Sequence, residues 1–167
     1  MIFRKLETLL TRWFPYDCDD WIDAALGEAA KHGHRSVVQL LVQQGANINM
    51  RDTAGTPLIQ AAAAAHGDVV EYLLKEGANV HCTNKYGQTA LCAAASAGDL
   101  NATKALIEHG AKVNATSPRD EDGDTALLLA AQGGHEKVVE CLLSEGANTH
   151  HVNNCNATAL QLAVDAR

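Results

Sequence analysis

Eight histidines and five cysteines are the residues of this chain best able to hold a metal or act as nucleophiles. A structural zinc site needs Cys and His in close pairs, such as C-x₂-C or H-x₃-H, so that four donors can converge. That spacing is missing. His34, His66 and His135 each follow a short turn in the same local context, and His81 and His150 share a second context, so both sets belong to the framework. His32, His109 and His151 show no regular ligand spacing. Asp120, Asp122 and Asp124 with Gly123 suggest the start of a calcium loop, but the late glutamate that completes such a loop is absent. A solvated acidic loop is the expectation there.

Nucleophilic and phosphate chemistry fare no better. The serines, Ser36, Ser96, Ser117 and Ser144, sit in no nucleophile elbow. There is no GxxxxGK and no strand-bounded GxGxxG to cradle a phosphate. The cysteines, Cys18, Cys82, Cys92, Cys141 and Cys155, are odd in number and lack paired spacing. They read as reduced thiols in a reducing compartment, which points to the cytoplasm with the nucleus as the alternative. Cys92 and Cys141 fall on expected helices and should be buried, whereas Cys82 and Cys155 fall on loops. The expectation is a chain with no catalytic residues, no metal and no cofactor.

Composition narrows the partners. A formal charge of −7 argues against a general nucleic-acid binder, which needs a basic face. No apolar run reaches membrane-spanning length, so no transmembrane segment is expected. Met1 to Phe14 has its apolar residues interrupted by charge, unlike a secretory signal. A length of 167 residues suits one domain.

The elements that carry these residues repeat. Thr56-Pro57-Leu58, Thr89-Ala90-Leu91, Thr125-Ala126-Leu127 and Thr158-Ala159-Leu160 stand 33, 36 and 33 residues apart. Ala24 matches Thr56 one residue short of the same period. Gly-Ala pairs keep the beat at Gly45-Ala46, Gly77-Ala78, Gly110-Ala111 and Gly146-Ala147. A fixed period of this length means stacked copies of a small unit that share one core. Thr56 can N-cap a helix with Pro57 at its first position, where a missing N–H costs nothing. Val69, Val70, Leu73 and Leu74 form the apolar stripe of a second helix, matched by Val37, Val38, Leu41 and Val42 and by Val138, Val139, Leu142 and Leu143. The Gly of each Gly-Ala pair should end that helix in a left-handed cap.

With these motifs repeated in register over residues 24–167, the chain resembles the ankyrin-repeat family. The resemblance implies an all-α solenoid of stacked helix pairs with projecting hairpin loops. Full repeats are expected near 24–55, 56–88, 89–124 and 125–157, with a partial fifth at 158–167, so that 23–167 is the repeat domain. The family usually places His fourth in its TPLH phrase, where this chain has Gly27, Ile59, Cys92, Leu128 and Gln161. Its hydrogen-bond network should be lost with it. The third unit looks weakest, because Thr103 replaces Val on the apolar stripe.

Residues 1–22 differ from the rest. They hold Phe3, Trp13, Phe14, Tyr16 and Trp21, and positions 2, 3, 6, 9, 10, 13 and 14 form an apolar stripe of helical period that Pro15 should end. The leading expectation is an amphipathic N-terminal helix that caps the first repeat. A partner-docking helix and a membrane-surface helix are the alternatives.

The resemblance also implies a binding function, toward a partner protein or peptide, through the concave face of the first helices and the loop tips. On the face these positions are Lys31 and His32, Ala63 and Ala64, Ser96 and Ala97, and Gln132 with Gly133. On the tips they are Arg51 and Asp52 beside Met50, Lys85 and Tyr86 beside Asn84, the acidic third loop Arg119, Asp120, Glu121 and Asp122, and 153–156. Tyr86 is the expected anchor, since aromatic residues dominate interface energetics. Two other readings remain open: an ankyrin region of a larger adaptor, channel or effector, and the substrate-binding part of an enzyme.

Overall fold

The structure, a computed structural model, describes residues 18–116 and 123–165. The N-terminal stripe through residue 17 and the acidic tip at Arg119, Asp120, Glu121 and Asp122 lie outside the described residues. The described elements are helices, in the order α1 (Cys18–Lys31), α2 (Arg35–Gln43), α3 (Pro57–Ala63), α4 (Gly67–Lys75), α5 (Ala90–Ala97), α6 (Leu100–Glu108), α7 (Ala126–Gln132), α8 (Glu136–Ser144) and α9 (Ala159–Asp165).

Each helix has a local cause. The hydroxyls of Thr56, Thr89 and Thr125 accept from the backbone N–H three residues on, satisfying one of the orphan donors at the starts of α3, α5 and α7. At α9, Thr158 and Gln161 bond reciprocally: the Gln161 N–H donates to Thr158 Oγ1 at 3.4 Å, and the Thr158 N–H donates to Gln161 Oε1 at 2.8 Å. That is a capping box, so Gln161 takes up a polar role at the position where the family's His is missing. The second helices stop as expected. At α2, the Gly45 N–H bonds Val42 O and the Ala46 N–H bonds Leu41 O, with Gly45 at φ 91°.

The helices stack in two rows. α1, α3, α5, α7 and α9 pack neighbour on neighbour, and α2, α4, α6 and α8 form the second row behind them. Two leucine ladders run through the stack: Leu26, Leu58, Leu91 and Leu127 in the first row, and Leu41, Leu73, Leu106 and Leu142 in the second, all buried. Each such side chain contributes about 1.5–3 kcal/mol by leaving water. Ala61, Ala62, Ala94 and Ala95 are buried between the ladders, and their methyls let successive helices approach closely. No single pair could bury its own ladder rung, which is why stability comes from stacking.

Thr103 departs from the expected loss. It is fully buried, and its hydroxyl donates to the Asp99 carbonyl at 2.8 Å, so its polar atom is satisfied inside the helix. Ile59, Cys92 and Leu128, which hold the missing His position in the second to fourth units, are buried apolar contacts.

The hairpins between units have a shared organiser. Asp52 Oδ1 accepts from the N–H groups of Ala54 and Gly55 at 2.7 and 2.9 Å, and its Oδ2 accepts from Gln60 Nε2 at 3.0 Å. Asn84 Oδ1 does the same for the N–H groups of Tyr86 and Gln88, and Asn153 Oδ1 for those of Cys155 and Ala157. These are Asx turns, in which a short side chain mimics a backbone turn. Isolated antiparallel bridges close two hairpin bases, Thr83 with Thr89 and Thr116 with Thr125.

Candidate functional site

The floor of the surface comes from the C-terminal ends of the first helices. Lys31, Ala63, Ser96 and Gln132 occupy one register position there, and all four are exposed while the residues beneath them are buried. His32 and Ala64 are exposed beside them, and Ala97 is half-buried. At the first unit the floor is polar: Glu28 lies 3.4 Å from Lys31 Nζ and 3.3 Å from His32 Nε2, and the His32 ring stacks on His34. In the middle units it is almost flat, so a bound chain could lie close to the helix ends.

Histidines from the following unit hold this floor in place. His66 donates from Nε2 to the Lys31 carbonyl at 3.1 Å, and His135 donates from Nε2 to the Ser96 carbonyl at 3.0 Å. A carbonyl only accepts, so the proton sits on Nε2 in both rings. The same place in the third unit is Asp99, a carboxylate that can make no such bond to Ala63. Its Oδ1 instead accepts the Ala102 N–H at 2.9 Å and caps α6, while Oδ2 is buried without a partner.

The tips stand to one side of the floor. Tyr86 is 54% exposed, with Lys85 Nζ 4.7 Å from its ring centroid. The Tyr86 N–H is held by Asn84, so the ring projects from a fixed turn rather than a loose one. Arg51 is exposed, and its guanidinium donates to the Thr83 carbonyl, tying the first tip to the second. Asp52 has its carboxylate engaged in the turn, so it shapes the tip that presents Arg51. At the last described hairpins, His151 Nε2 lies 3.0 Å from the Gly123 carbonyl, and Asn153 Nδ2 donates to Asp124 Oδ1 at 3.0 Å. The inter-unit roles of His66, His135 and Asn153 are not visible in local sequence, although the shared register of Asp52, Asn84 and Asn153 was there to be read.

The opposite side of the stack carries a cleft of about 830 Å³ between α6 and α8. Leu100, Lys104, Ile107, Lys137, Glu140 and Cys141 are among its lining residues. Cys141, expected in the core, is only half-buried here, because α6 and α8 pack less closely than α4 and α6. Burial still pushes its thiol above the ordinary range, outweighing the nearby Lys104. Cys92 is buried, Cys82 half-buried and Cys155 exposed. Among the described residues no three His, Cys, Asp or Glu side chains converge as a metal site, and no helix is long and apolar enough to cross a membrane.

The family model described as ankyrin repeats (3 copies) matches residues 26–117 and 115–167. The chain belongs to the ankyrin-repeat family, whose members are generally protein–protein interaction modules and typically not enzymes. Among curated proteins it is similar to the ankyrin repeat and KH domain-containing protein mask of Drosophila melanogaster, 44% identical over 132 residues, which is 78% of this chain and 2% of that protein. Ankyrin repeat and KH domain-containing protein mask-1 of Caenorhabditis elegans is 46% identical over 142 residues, 84% of this chain and 4% of that protein. The human NAD-capped RNA hydrolase NUDT12 is 39% identical over 68 residues, 40% of this chain and 14% of that protein. The chain therefore spans a small fraction of the length of each of these relatives.

Proposed function

We propose that this chain is a non-catalytic module that binds a protein or peptide along the floor of Lys31, His32, Ala63, Ala64, Ser96, Ala97 and Gln132. Contacts from the tips at Arg51, Lys85 and Tyr86 complete the surface, and the acidic third loop, Arg119, Asp120, Glu121 and Asp122, is assigned to it from the sequence. One observation carries this reading: Lys31, Ala63, Ser96 and Gln132 share a register and are all exposed, and Tyr86 is exposed on a tip whose turn Asn84 organises. A row of shallow positions admits an extended chain, and the aromatic ring gives it an anchor. Asp52 is assigned to shaping the first tip. The net charge of −7 supports a protein partner over nucleic acid, and the reduced-thiol reading of the cysteines supports the cytoplasm, with the nucleus as the alternative.

Affinity capture from native lysate tests this. Tyr86→Ala and Arg51→Ala should each reduce recovery of captured protein at least about tenfold, the effect of losing an interface anchor. Lys137→Ala, on the opposite cleft, should leave it unchanged. Equal recovery with Tyr86→Ala and Arg51→Ala, or loss with Lys137→Ala, contradicts the assignment of the binding face.

A further inference from the structure

We propose that the cleft between α6 and α8 docks a short amphipathic helix of a partner protein, one with acidic residues in its first turn and basic residues in its last. The cleft has a packing cause. Ala105 faces α4 and Cys141 faces α6 from the same place in successive second helices. Ala102 and Ala105 are small and bring α6 close to α4, whereas Val138 and Cys141 are larger and hold α8 off α6. The gap between α4 and α6 is about 370 Å³, and that between α6 and α8 is about 830 Å³. Leu100, Ile107 and Cys141 are half-buried along the larger gap, and the charged side chains on its rims are exposed. The result is an apolar strip between two helices that run the same way, as successive copies of one unit do. A third helix can seat its own apolar stripe there.

Charge selects the occupant. Lys137 stands in the first turn of α8 and Lys104 midway along α6, so the cations line the cleft from its N-terminal end to its middle. Glu140 is level with Lys104. Glu108 ends α6 and Glu145 follows α8, so carboxylates line the C-terminal end. The ion pairs among the described residues lie elsewhere, as at Lys75 and Glu71 on α4. Lys104 and Glu108 stand in the weaker i,i+4 order, cation first. The macrodipoles of α6 and α8 add to this polarity, positive at the lysine end and negative at the glutamate end. A helix laid in the same direction sets its acidic first turn by Lys137 and Lys104, and its basic last turn by Glu108 and Glu145. Those are also the charges its own dipole favours at each end, so one sequence pattern suits both the helix and the cleft. The apolar strip supplies the contact, and the charges fix direction and choice of partner. Two to three turns of helix bury less than the about 1,200 Å² of a stable interface, so the contact belongs to the weak, transient class. It is separate from the floor and falls below what capture from a lysate retains.

Cys141 is a built-in reporter of the cleft. The probe is a synthetic peptide of about sixteen residues, long enough to populate a helix. It carries leucines at i, i+3, i+4 and i+7, glutamates in its first turn and lysines in its last. Alkylation of the full chain by iodoacetamide is followed by mass spectrometry at a pH where Cys141 reacts. Saturating peptide should slow Cys141 at least about threefold by covering the thiol, and leave Cys155 unchanged. Lys104→Glu with Lys137→Glu, both at exposed positions, should keep the unfolding midpoint and weaken the peptide about tenfold. A peptide with the same leucines and its two charged turns exchanged should bind at least about fivefold more weakly. Unchanged Cys141 alkylation at millimolar peptide overturns the proposal, as does equal affinity for the lysine-reversed chain or for the exchanged peptide. Shielding of Cys141 that grows with protein concentration, with no peptide present, also overturns it, because a second copy would then be the occupant.

Discussion

The His66 ring lies so close to Gly33 that a Cβ on the glycine would stand 2.5 Å from Nδ1. Gly33 also has φ +69°, in the left-handed region that L side chains rarely adopt. The same pair recurs two units later, where a Cβ on Gly98 would stand 2.5 Å from His135 Nδ1. Each glycine ends a first helix and makes room for the ring that ties the next unit to the floor. Gly33→Ala and Gly98→Ala should therefore each cost about 2–4 kcal/mol, combining backbone strain with a forced shift of the ring. Gly134→Ala, with the same backbone but nothing within 4 Å, should cost only about 1 kcal/mol. Urea unfolding midpoints check the ranking.

Ala65 occupies this left-handed position in the second unit, at φ 58°, and the residue after its partner turn is Asp99 instead of His. The missing ring is what leaves room for the alanine methyl. Ala65→Gly alone should stabilise the chain by roughly 0.5–1 kcal/mol by relieving the strained backbone. Asp99→His alone should destabilise it, because the ring meets the methyl and α6 loses its cap. With Ala65→Gly also present, Asp99→His should recover a coupling energy of about 1 kcal/mol or more. The lost cap is common to both backgrounds and cancels in the cycle. Strict additivity of the two changes contradicts this explanation.

Asn84→Ala should cost about 1–3 kcal/mol, since it strips the acceptor from the N–H groups of Tyr86 and Gln88 in a turn where Asn84 is buried. It should also weaken partner binding through Tyr86. Asn84→Asp should be much milder, because Asp52 performs the same duty one unit earlier. Thermal unfolding and the capture assay read the two effects separately.

Thiol chemistry should follow burial. A raised pKa means less thiolate at a given pH, so native Cys141 should alkylate slowly near neutrality and gain rate only above the usual thiol range. Cys155, exposed, should react first, and Cys92, buried, only on unfolding. Mass spectrometry of iodoacetamide-treated native protein across a pH series checks the order. Cys141 reacting ahead of Cys155 at neutral pH contradicts it.

The helix pairs were legible because their causes are local: a threonine that caps, an apolar stripe and a glycine that stops. Contacts between units were harder to see. Thr103 looks weak as a residue type, yet a bond to its own helix's Asp99 carbonyl keeps it in the core. Asp52 reads as an exposed tip charge and is exposed, and the turn also engages its carboxylate. Cys141 has a core-like sequence context, and its half-exposure follows from the looser approach of α6 and α8. The positions on the floor followed from the repeat register, and the histidine bonds that hold them needed three-dimensional neighbours to be seen.

The most direct measurement is an amide-exchange footprint of the chain with and without a captured partner. Slowed exchange concentrated around Lys31 and His32, Ala63 and Ala64, Ser96 and Ala97, and the Lys85–Tyr86 tip is the predicted result. Slowed exchange confined to α6 and α8 around Lys104 and Cys141, or to residues 1–22, would contradict it.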